Sequence, residues 1–244
     1  MLEIKNLKRY FGGVKAVDDC SFKIEKGKIT ALIGPNGSGK TTVFNLISGI
    51  LKEDSGKTLF DGIEITHMTV EETSNLGISR LFQQPRLFGN LSVRENLIMA
   101  IDEDNTRFWK NLIGYKLDRE KGDKINEIAK LTSITAFMDK QAKNLSFGQK
   151  RLAEIARALV KPHKFLMLDE PVAGVTPPLR KEISELLLKL KKQGETILLI
   201  EHDMNFTLNV SDKVVVLDSG KVIAQGSPKQ IKTNPKVLEA YLGD

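Results

Sequence analysis

The sequence contains only one cysteine, Cys20, among its 244 residues. A single cysteine excludes an internal disulfide, and this usage favours a cytosolic protein. Cys20 lies in a strand-like run, so we expect it to be a small buried hydrophobic residue rather than a nucleophile. Cysteine and histidine do not cluster at the spacings of a structural metal site, and no role is assigned to His67 or His163.

Long apolar runs are also missing. No segment reaches the roughly 18 apolar residues of a membrane span. The first residues, MLEIKNLKRYFGG, carry charges where a signal peptide needs an apolar stretch. We therefore expect a cytosolic protein that serves a membrane only through a partner.

The chain has neither low-complexity segments nor an evident internal repeat. Hydrophobic residues make up 41% and charged residues 28%, a balance that supports an ordered core and argues against long disordered stretches. The net charge of +6 is spread along the chain rather than clustered. That distribution suits a solvated surface and an anionic ligand, and we expect no nucleic-acid partner.

Strand-like and helical patterns alternate at both ends of the chain. The alternation in LEIKNL and CSFKI indicates half-solvated antiparallel strands, whereas ITALIG, ISRLFQ, KFLMLDE and ETILLIEH indicate further, more buried strands. A helix is predicted from Thr42 to Ile50, closed by Gly49 or the lysine beyond, and helical patterns dominate from Ser92 to Val160. Near the end, DKVVVLDSGKVIAQG predicts a hairpin that turns at Ser219 and Gly220 and is followed by one short helix.

This order of elements predicts one α/β domain with an insertion. The mixed α/β core would comprise about 1–84 and 163–244, and a helical subdomain would comprise about 85–162. A length of 244 residues is ordinary for one large domain of this kind.

The stretch IGPNGSGKTT has P-loop spacing at Gly34, Gly39, Lys40 and Thr41. A buried strand precedes it and a helix follows, as nucleotide binding requires. The backbone amides and the helix N-terminus would hold the phosphates, Lys40 would reach the β- and γ-phosphates, and the Thr41 hydroxyl would bind Mg²⁺. The alternative is a glycine-rich turn without a ligand. The predicted nucleotide contacts of this loop are Asn36, Gly37, Ser38, Gly39, Lys40, Thr41 and Thr42.

Acidic residues end one of the apolar strands, in FLMLDEP. Ligands of an open parallel sheet lie outside the carboxyl ends of its strands, so Asp169 would hold Mg²⁺ through water. Glu170 would polarise the water that attacks the γ-phosphate. His202 follows the next apolar strand and would contact the γ-phosphate or orient that water. A solvated acidic turn and a structural histidine are the alternatives.

Together these motifs resemble those of one family. The P-loop, LFQQP, LSFGQ, the Asp-Glu strand end and the strand-end histidine occur in the order found in ATP-binding subunits of ABC transporters, and LSFGQ matches the LSGGQ signature apart from Phe147. The resemblance covers essentially the whole chain. It implies an ATPase that uses ATP and Mg²⁺, and a P-loop ABC cassette with a RecA-like core, an antiparallel β subdomain and an inserted helical subdomain.

In this family two subunits sandwich two ATP molecules head to tail. Each nucleotide lies between the P-loop of one subunit and the signature of the other. The resemblance therefore implies that Ser146, Gly148 and Gln149 contact the γ-phosphate bound by the partner subunit. A simple helix cap would explain Ser146 but not the glycine.

Further positions match the family one at a time. Phe11 occupies the position of the aromatic residue that stacks on adenine, with a core aromatic as the alternative. Gln83, or its neighbour Gln84, matches the catalytic glutamine that touches Mg²⁺ and the attacking water. The segment PVAGVTP matches the dimer-contact loop, with Thr176 where the family commonly has aspartate. The stretch from Gln83 to Val93 would line the groove that receives a helix of the permease.

The segments FGG, FQQPRLF, LIEHDM and EAYLG resemble the branched-chain amino acid uptake branch. We expect a cytoplasmic ATPase subunit, peripheral on the inner face of the cell membrane. Its partners would be a second ATPase subunit (a copy or a paralogue), integral membrane permease subunits and, indirectly, a solute-binding protein. The alternatives are an export-type ATPase of the lipopolysaccharide-export kind, a non-transport ABC ATPase acting on ribosomes or DNA, and a small-molecule P-loop kinase.

Overall fold

The computed structural model describes residues 1–82, 87–101 and 118–242. Within these ranges no helix is both long enough and apolar enough to cross a bilayer. The chain divides into two compact units. The first unit comprises Met1–Arg80, Lys164–Glu170 and Leu187–Asp244, and the second comprises Leu81–His163 and Pro171–Leu186.

An antiparallel sheet occupies the N-terminal part of the first unit. Its strands, in the order β2-β1-β4-β5, are β1 (Leu2–Phe11), β2 (Val14–Ile24), β4 (Ser55–Phe60) and β5 (Ile63–Glu64). Strands β1 and β2 pair antiparallel, with Leu2 opposite Ile24. The two antiparallel strands predicted from alternation are thus confirmed.

A second sheet carries the parallel core. Its strands, in the order β10-β9-β3-β8-β7-β6, are β3 (Ile29–Ile33), β6 (Ile78–Leu81), β7 (Phe165–Asp169), β8 (Ile197–Ile200), β9 (Lys213–Asp218) and β10 (Lys221–Gly226). Strand β3 runs parallel to β8 and β9, and β7 runs parallel to β8. The predicted hairpin joins β9 to β10 through Ser219 and Gly220, whose φ angles are 46° and 79°.

The α-helices of the described residues begin after β3. In chain order they are α1 (Lys40–Ile47), α2 (Val70–Asn75), α3 (Val93–Ile101), α4 (Arg119–Leu131), α5 (Phe147–Val160), α6 (Pro177–Lys192), α7 (Met204–Val210), α8 (Pro228–Lys232) and α9 (Pro235–Leu242). Helices α3, α4 and α5 pack on one another in the second unit.

Strand β3 is covered on both faces. Leu32 belongs to an apolar cluster that includes Phe44 of α1 and the buried Cys20 of β2. Ala31 and Ile33 belong to a second cluster that includes residues of α8 and α9. Since consecutive residues of a strand point to opposite faces, this double burial explains why ITALI is a continuous apolar run.

Two helix predictions were wrong in detail. Helix α1 covers Lys40–Ile47 rather than Thr42 to Ile50. Of the two predicted ends, Gly49 is the one that follows the helix, with a left-handed backbone of φ 72°. The single terminal helix is in fact α8 and α9. Pro235 opens the second of these and has no N–H with which to continue the first.

Candidate active site

The P-loop joins β3 to α1, and two of its glycines have no room for a side chain. A Cβ at Gly34 would lie 2.0 Å from the Leu217 carbonyl oxygen, and one at Gly39 would lie 2.2 Å from the Ala16 carbonyl oxygen. Gly39 is also the N-cap of α1, and no side chain of the described residues caps this helix. The first amides of α1 are therefore available to an anion, which the helix dipole favours.

Lys40 lies buried within this loop. Its ammonium donates to the carbonyl oxygens of Gly34 and Pro35, both at 2.8 Å. Burial lowers the pKa of Lys40, while the nearby carboxylates of Glu170 and Asp169 act in the opposite direction. An anionic phosphate here would stabilise the charged form of Lys40.

The other predicted loop contacts differ in exposure. Ser38 is buried, Thr42 is half-buried, and Asn36, Gly37 and Thr41 are exposed to solvent. The exposure of Thr41 suits a residue that meets a ligand rather than the core.

Asp169 ends β7 and forms a buried ion pair that the sequence interpretation missed. Arg80 Nη2 donates to Asp169 Oδ2 at 3.0 Å, and the two side chains are 6% and 5% exposed. A charged residue within the strand-like run ISRLFQ was the available signal, because a buried arginine requires a partner.

Glu170 and His202 contact each other directly, through Glu170 Oε1 and His202 Nε2. Glu170 has a left-handed backbone with φ 50°, and its N–H donates to the Ile200 carbonyl oxygen at 3.0 Å. Such a conformation is costly for a residue with a side chain and is concentrated at functional sites. Asp203 follows and caps α7 through the Phe206 N–H at 2.9 Å, which positions the segment that carries His202.

Phe11 ends β1 with its ring in solvent. The side chain is 41% exposed, and the Arg9 guanidinium carbon lies 4.7 Å from the ring centroid. A core aromatic is therefore excluded, and the ring offers a face to a planar ligand. Its neighbour Tyr10 instead donates its hydroxyl to Asp18 at 2.7 Å.

The signature begins α5 and lies in the second unit. Ser146 is an exposed N-cap that forms a capping box with Gln149. A Cβ at Gly148 would lie 2.6 Å from Leu179 Cδ2, so a larger residue here would displace the end of the Leu179 side chain in α6. The ring of Phe147 lies against Gly174, where a Cβ would be 3.3 Å from its Cε1 atom. Phe147 thus links the signature to the segment PVAGVTP.

The structure describes some, but not all, of the other residues that the sequence singles out. Gln83 and its alternative Gln84 lie outside the described residues, and Thr176 is exposed just before α6. Phe88 is 51% exposed, while its backbone N–H donates to the buried Asn96 Oδ1 at 2.8 Å. Burial raises the pKa of the Cys20 thiol to about 12, which agrees with an unreactive hydrophobic residue.

The sequence and fold were compared with those of known proteins. Residues 17–173 match the family model described as ABC transporter, and residues 221–244 match the model described as branched-chain amino acid ATP-binding cassette transporter. A protein of Archaeoglobus fulgidus named "Probable branched-chain amino acid transport ATP-binding protein LivG" is 41% identical over 245 residues, which cover 100% of this chain and 95% of that protein.

Solved structures of ATP-binding cassettes also match the fold of this chain. The ADP conformation of an ATP-binding cassette of an ABC transporter matches with a TM-score of 0.88 and 37% identity, covering 100% of this chain and 99% of that chain. A dimeric cassette in a post-hydrolysis state, bound to ADP and Pi, matches with a TM-score of 0.79 and 25% identity, covering 93% of this chain and 99% of that chain. These likenesses confirm the fold predicted from the sequence.

Proposed function

The chain belongs to the ABC transporter family, in the branch of its branched-chain amino acid ATP-binding proteins, and on this basis we propose that two subunits close head to tail on two ATP molecules. As an ABC ATPase, the chain hydrolyses ATP to drive transport. The second subunit would be a copy of this chain or a paralogue. This arrangement is supported by a similar solved structure, a dimeric cassette bound to ADP and Pi.

The observation that carries this proposal is the exposed start of α5. Ser146 and Phe147 are exposed at the N-terminus of a 14-residue helix, where backbone amides and the helix dipole favour an anion. We propose that this anion is the γ-phosphate held by the P-loop of the other subunit. Ser146 and the Gly148 amide would bind it.

Within the first unit, the proposed roles are nucleotide binding and activation of water. Lys40 and the amides of α1 would bind the phosphates, and Phe11 would stack on adenine. Glu170 would take a proton from the attacking water, while His202 holds the Glu170 carboxylate through the contact between Nε2 and Oε1.

The donors present fit Mg²⁺. The described residues contain no group of three or more His, Cys, Asp or Glu side chains that could hold a metal by themselves. Mg²⁺ in phosphoryl-transfer sites is held by one or two protein oxygens together with phosphates and water. The Thr41 hydroxyl would supply a direct protein oxygen, and the Asp169 carboxylate would hold the ion through water. When bound, Mg²⁺ neutralises charge on the β- and γ-phosphate oxygens.

We propose that the transported solute is a branched-chain amino acid or a related small solute. The match of 221–244 and the name of the Archaeoglobus protein support this branch over export-type and non-transport alternatives. The subunit would reach the inner face of the membrane by binding integral permease subunits, which receive the solute from a binding protein.

The composite site can be tested by mixing two inactive variants. Ser146→Arg places a bulky cation at the signature, and Lys40→Ala damages the P-loop. A mixed dimer then contains one site with both lesions and one site with neither, because each site combines a P-loop and a signature from different subunits.

We expect the mixture to recover ATPase activity that neither variant has alone. Mixing each variant with itself is the control. A mixture that stays inactive, or a Ser146→Arg variant that hydrolyses ATP normally by itself, would contradict the head-to-tail arrangement.

A further inference from the structure

Arg80 and Asp169 form an ion pair away from solvent. The pair joins Nη2 to Oδ2 at 3.0 Å, and both side chains are more than nine-tenths buried. Replacement of a buried ion pair by apolar residues is often neutral or stabilising. Net stability therefore does not by itself explain a charge pair at the end of β7.

Arg80 is also attached to the end of α1. Its Nη1 donates to Asn45 Oδ1 and to Ser48 Oγ, both at 2.8 Å. The guanidinium carbon lies 5.4 Å from the Phe44 ring centroid. A guanidinium is a rigid planar fork, so these contacts on several sides fix its orientation as well as its position.

We propose that Arg80 is a positioning residue that holds the Asp169 carboxylate in one orientation relative to α1. Helix α1 begins with Lys40 and Thr41 and ends at the groups that anchor Arg80, so one guanidinium connects the helix of the P-loop to the acidic strand end. This inference rests on the proposed role of Asp169 and Thr41 toward Mg²⁺. Outer-shell groups that orient the ligands of a metal typically contribute 10–100-fold to metal affinity.

The variant that isolates orientation from charge is Arg80→Lys. Lysine keeps the positive charge beside Asp169 but is a point charge on a flexible chain, and one ammonium cannot reproduce the fork. Nucleotide binding is measured with a fluorescent ATP analogue, first in EDTA and then with increasing Mg²⁺ or Ca²⁺. Mg²⁺ demands near-ideal octahedral geometry, whereas Ca²⁺ tolerates irregular sites.

We expect Arg80→Lys to raise the Mg²⁺ midpoint, the concentration that gives half of the metal-dependent change in nucleotide binding, by about tenfold. The Ca²⁺ midpoint should rise by less, and affinity in EDTA should stay within about twofold of wild type. An unchanged Mg²⁺ midpoint in the folded variant would overturn the proposal. So would an equal loss of affinity in EDTA, because that result would place Arg80 in the general support of the P-loop.

A milder variant keeps the test decisive if Arg80→Lys does not fold. Ser48→Ala removes one anchor of Arg80 without touching Asp169. The matched control is Thr132→Val, since both hydroxyls donate to the carbonyl oxygen four residues earlier at a helix end. Ser48→Ala should raise the Mg²⁺ midpoint about threefold, Thr132→Val should not, and equal midpoints in both would refute the role of Arg80.

The same titration separates this inference from the proposed function. If the wild type binds the nucleotide equally well with and without Mg²⁺, the metal role of Asp169 fails and the Arg80 inference fails with it. If the wild type depends on Mg²⁺ and the variants match it, only the Arg80 inference fails.

Discussion

Replacing Ser146 with aspartate separates the helix-capping role of this residue from its proposed contact with a partner's nucleotide. The Ser146 hydroxyl oxygen accepts the Gln149 N–H at 3.3 Å, and the Gln149 side chain accepts the Ser146 N–H at 3.0 Å. A hydroxyl that accepts a hydrogen bond keeps its own hydrogen for donation. Aspartate caps a helix as well as serine does but has no hydrogen to offer when ionised.

The capping role predicts that Ser146→Asp is more stable than Ser146→Ala. The proposed nucleotide contact predicts that Ser146→Asp is the less active of the two. Loss of the cap in the alanine variant should cost about 1 kcal/mol of unfolding free energy, a fall in melting temperature of roughly 2–4 °C for a domain of this size. The aspartate variant should melt at or above the wild-type temperature, because its charge also favours the helix N-terminus. A carboxylate about 4 Å from a phosphate charge is repelled by about 4 kcal/mol at an effective dielectric constant of 20.

That repulsion corresponds to about a thousandfold loss of affinity at each of the two composite sites, and ATP-driven dimerisation should weaken by at least that factor. Melting is followed by scanning fluorimetry, dimerisation by gel filtration with ATP, and turnover by phosphate release. We expect Ser146→Asp to be stable but inactive, and Ser146→Ala to be less stable with partial activity. If the aspartate variant dimerises and hydrolyses ATP like the wild type, Ser146 is only a helix cap.

Three further variants test the P-loop, the proposed permease surface and the contact of Phe147. Lys40→Ala should weaken ATP binding at least tenfold, about 1.4 kcal/mol, and an unchanged dissociation constant by calorimetry would exclude the loop as a nucleotide site. Phe88→Asp should weaken association with the permease but not ATP affinity, whereas Ile63→Asp, at a residue 48% exposed on the antiparallel sheet, should leave both unchanged. Loss of nucleotide binding in the first variant would contradict the assignment of Phe88 to the permease surface. Phe147→Ala removes the ring that packs on Gly174 and should lower turnover several-fold with unchanged ATP affinity, while Phe147→Tyr should match wild type. Normal turnover of the alanine variant would remove any role for this contact.

Residues whose chemistry depends on identity and spacing could be predicted from the sequence. The P-loop lysine, the acidic strand end and the signature each combine distinctive side chains with a local strand or helix signal. Two further signals were present but not used. Asp61 and Gly62 form the turn of the β4–β5 hairpin with φ 49° and 84°, and Asp-Gly between apolar residues predicts such a turn. Thr69 and Glu72 form the capping box of α2, a pattern readable as T-x-x-E.

Other features of the site depend on contacts that the sequence does not encode locally. Arg80 and Asp169 are 89 residues apart in the chain, so neither segment alone identifies the pair. The left-handed backbone of Glu170 also has no signature, because local sequence preferences favour glycine or asparagine there. The packing of Phe147 on Gly174 likewise arises only when two distant segments meet.

We propose that Glu170 activates the attacking water in a site closed by two subunits. Glu170→Gln keeps the size and shape of the side chain but replaces one carboxylate oxygen with an amide nitrogen, which removes the base. Turnover should fall by at least about a hundredfold, ATP affinity of the isolated subunit should be unchanged, and a dimer containing intact ATP should accumulate on gel filtration. Turnover within a few-fold of wild type would contradict the role of Glu170 as the base. A variant that stays monomeric with saturating ATP would contradict closure of two subunits on the nucleotide.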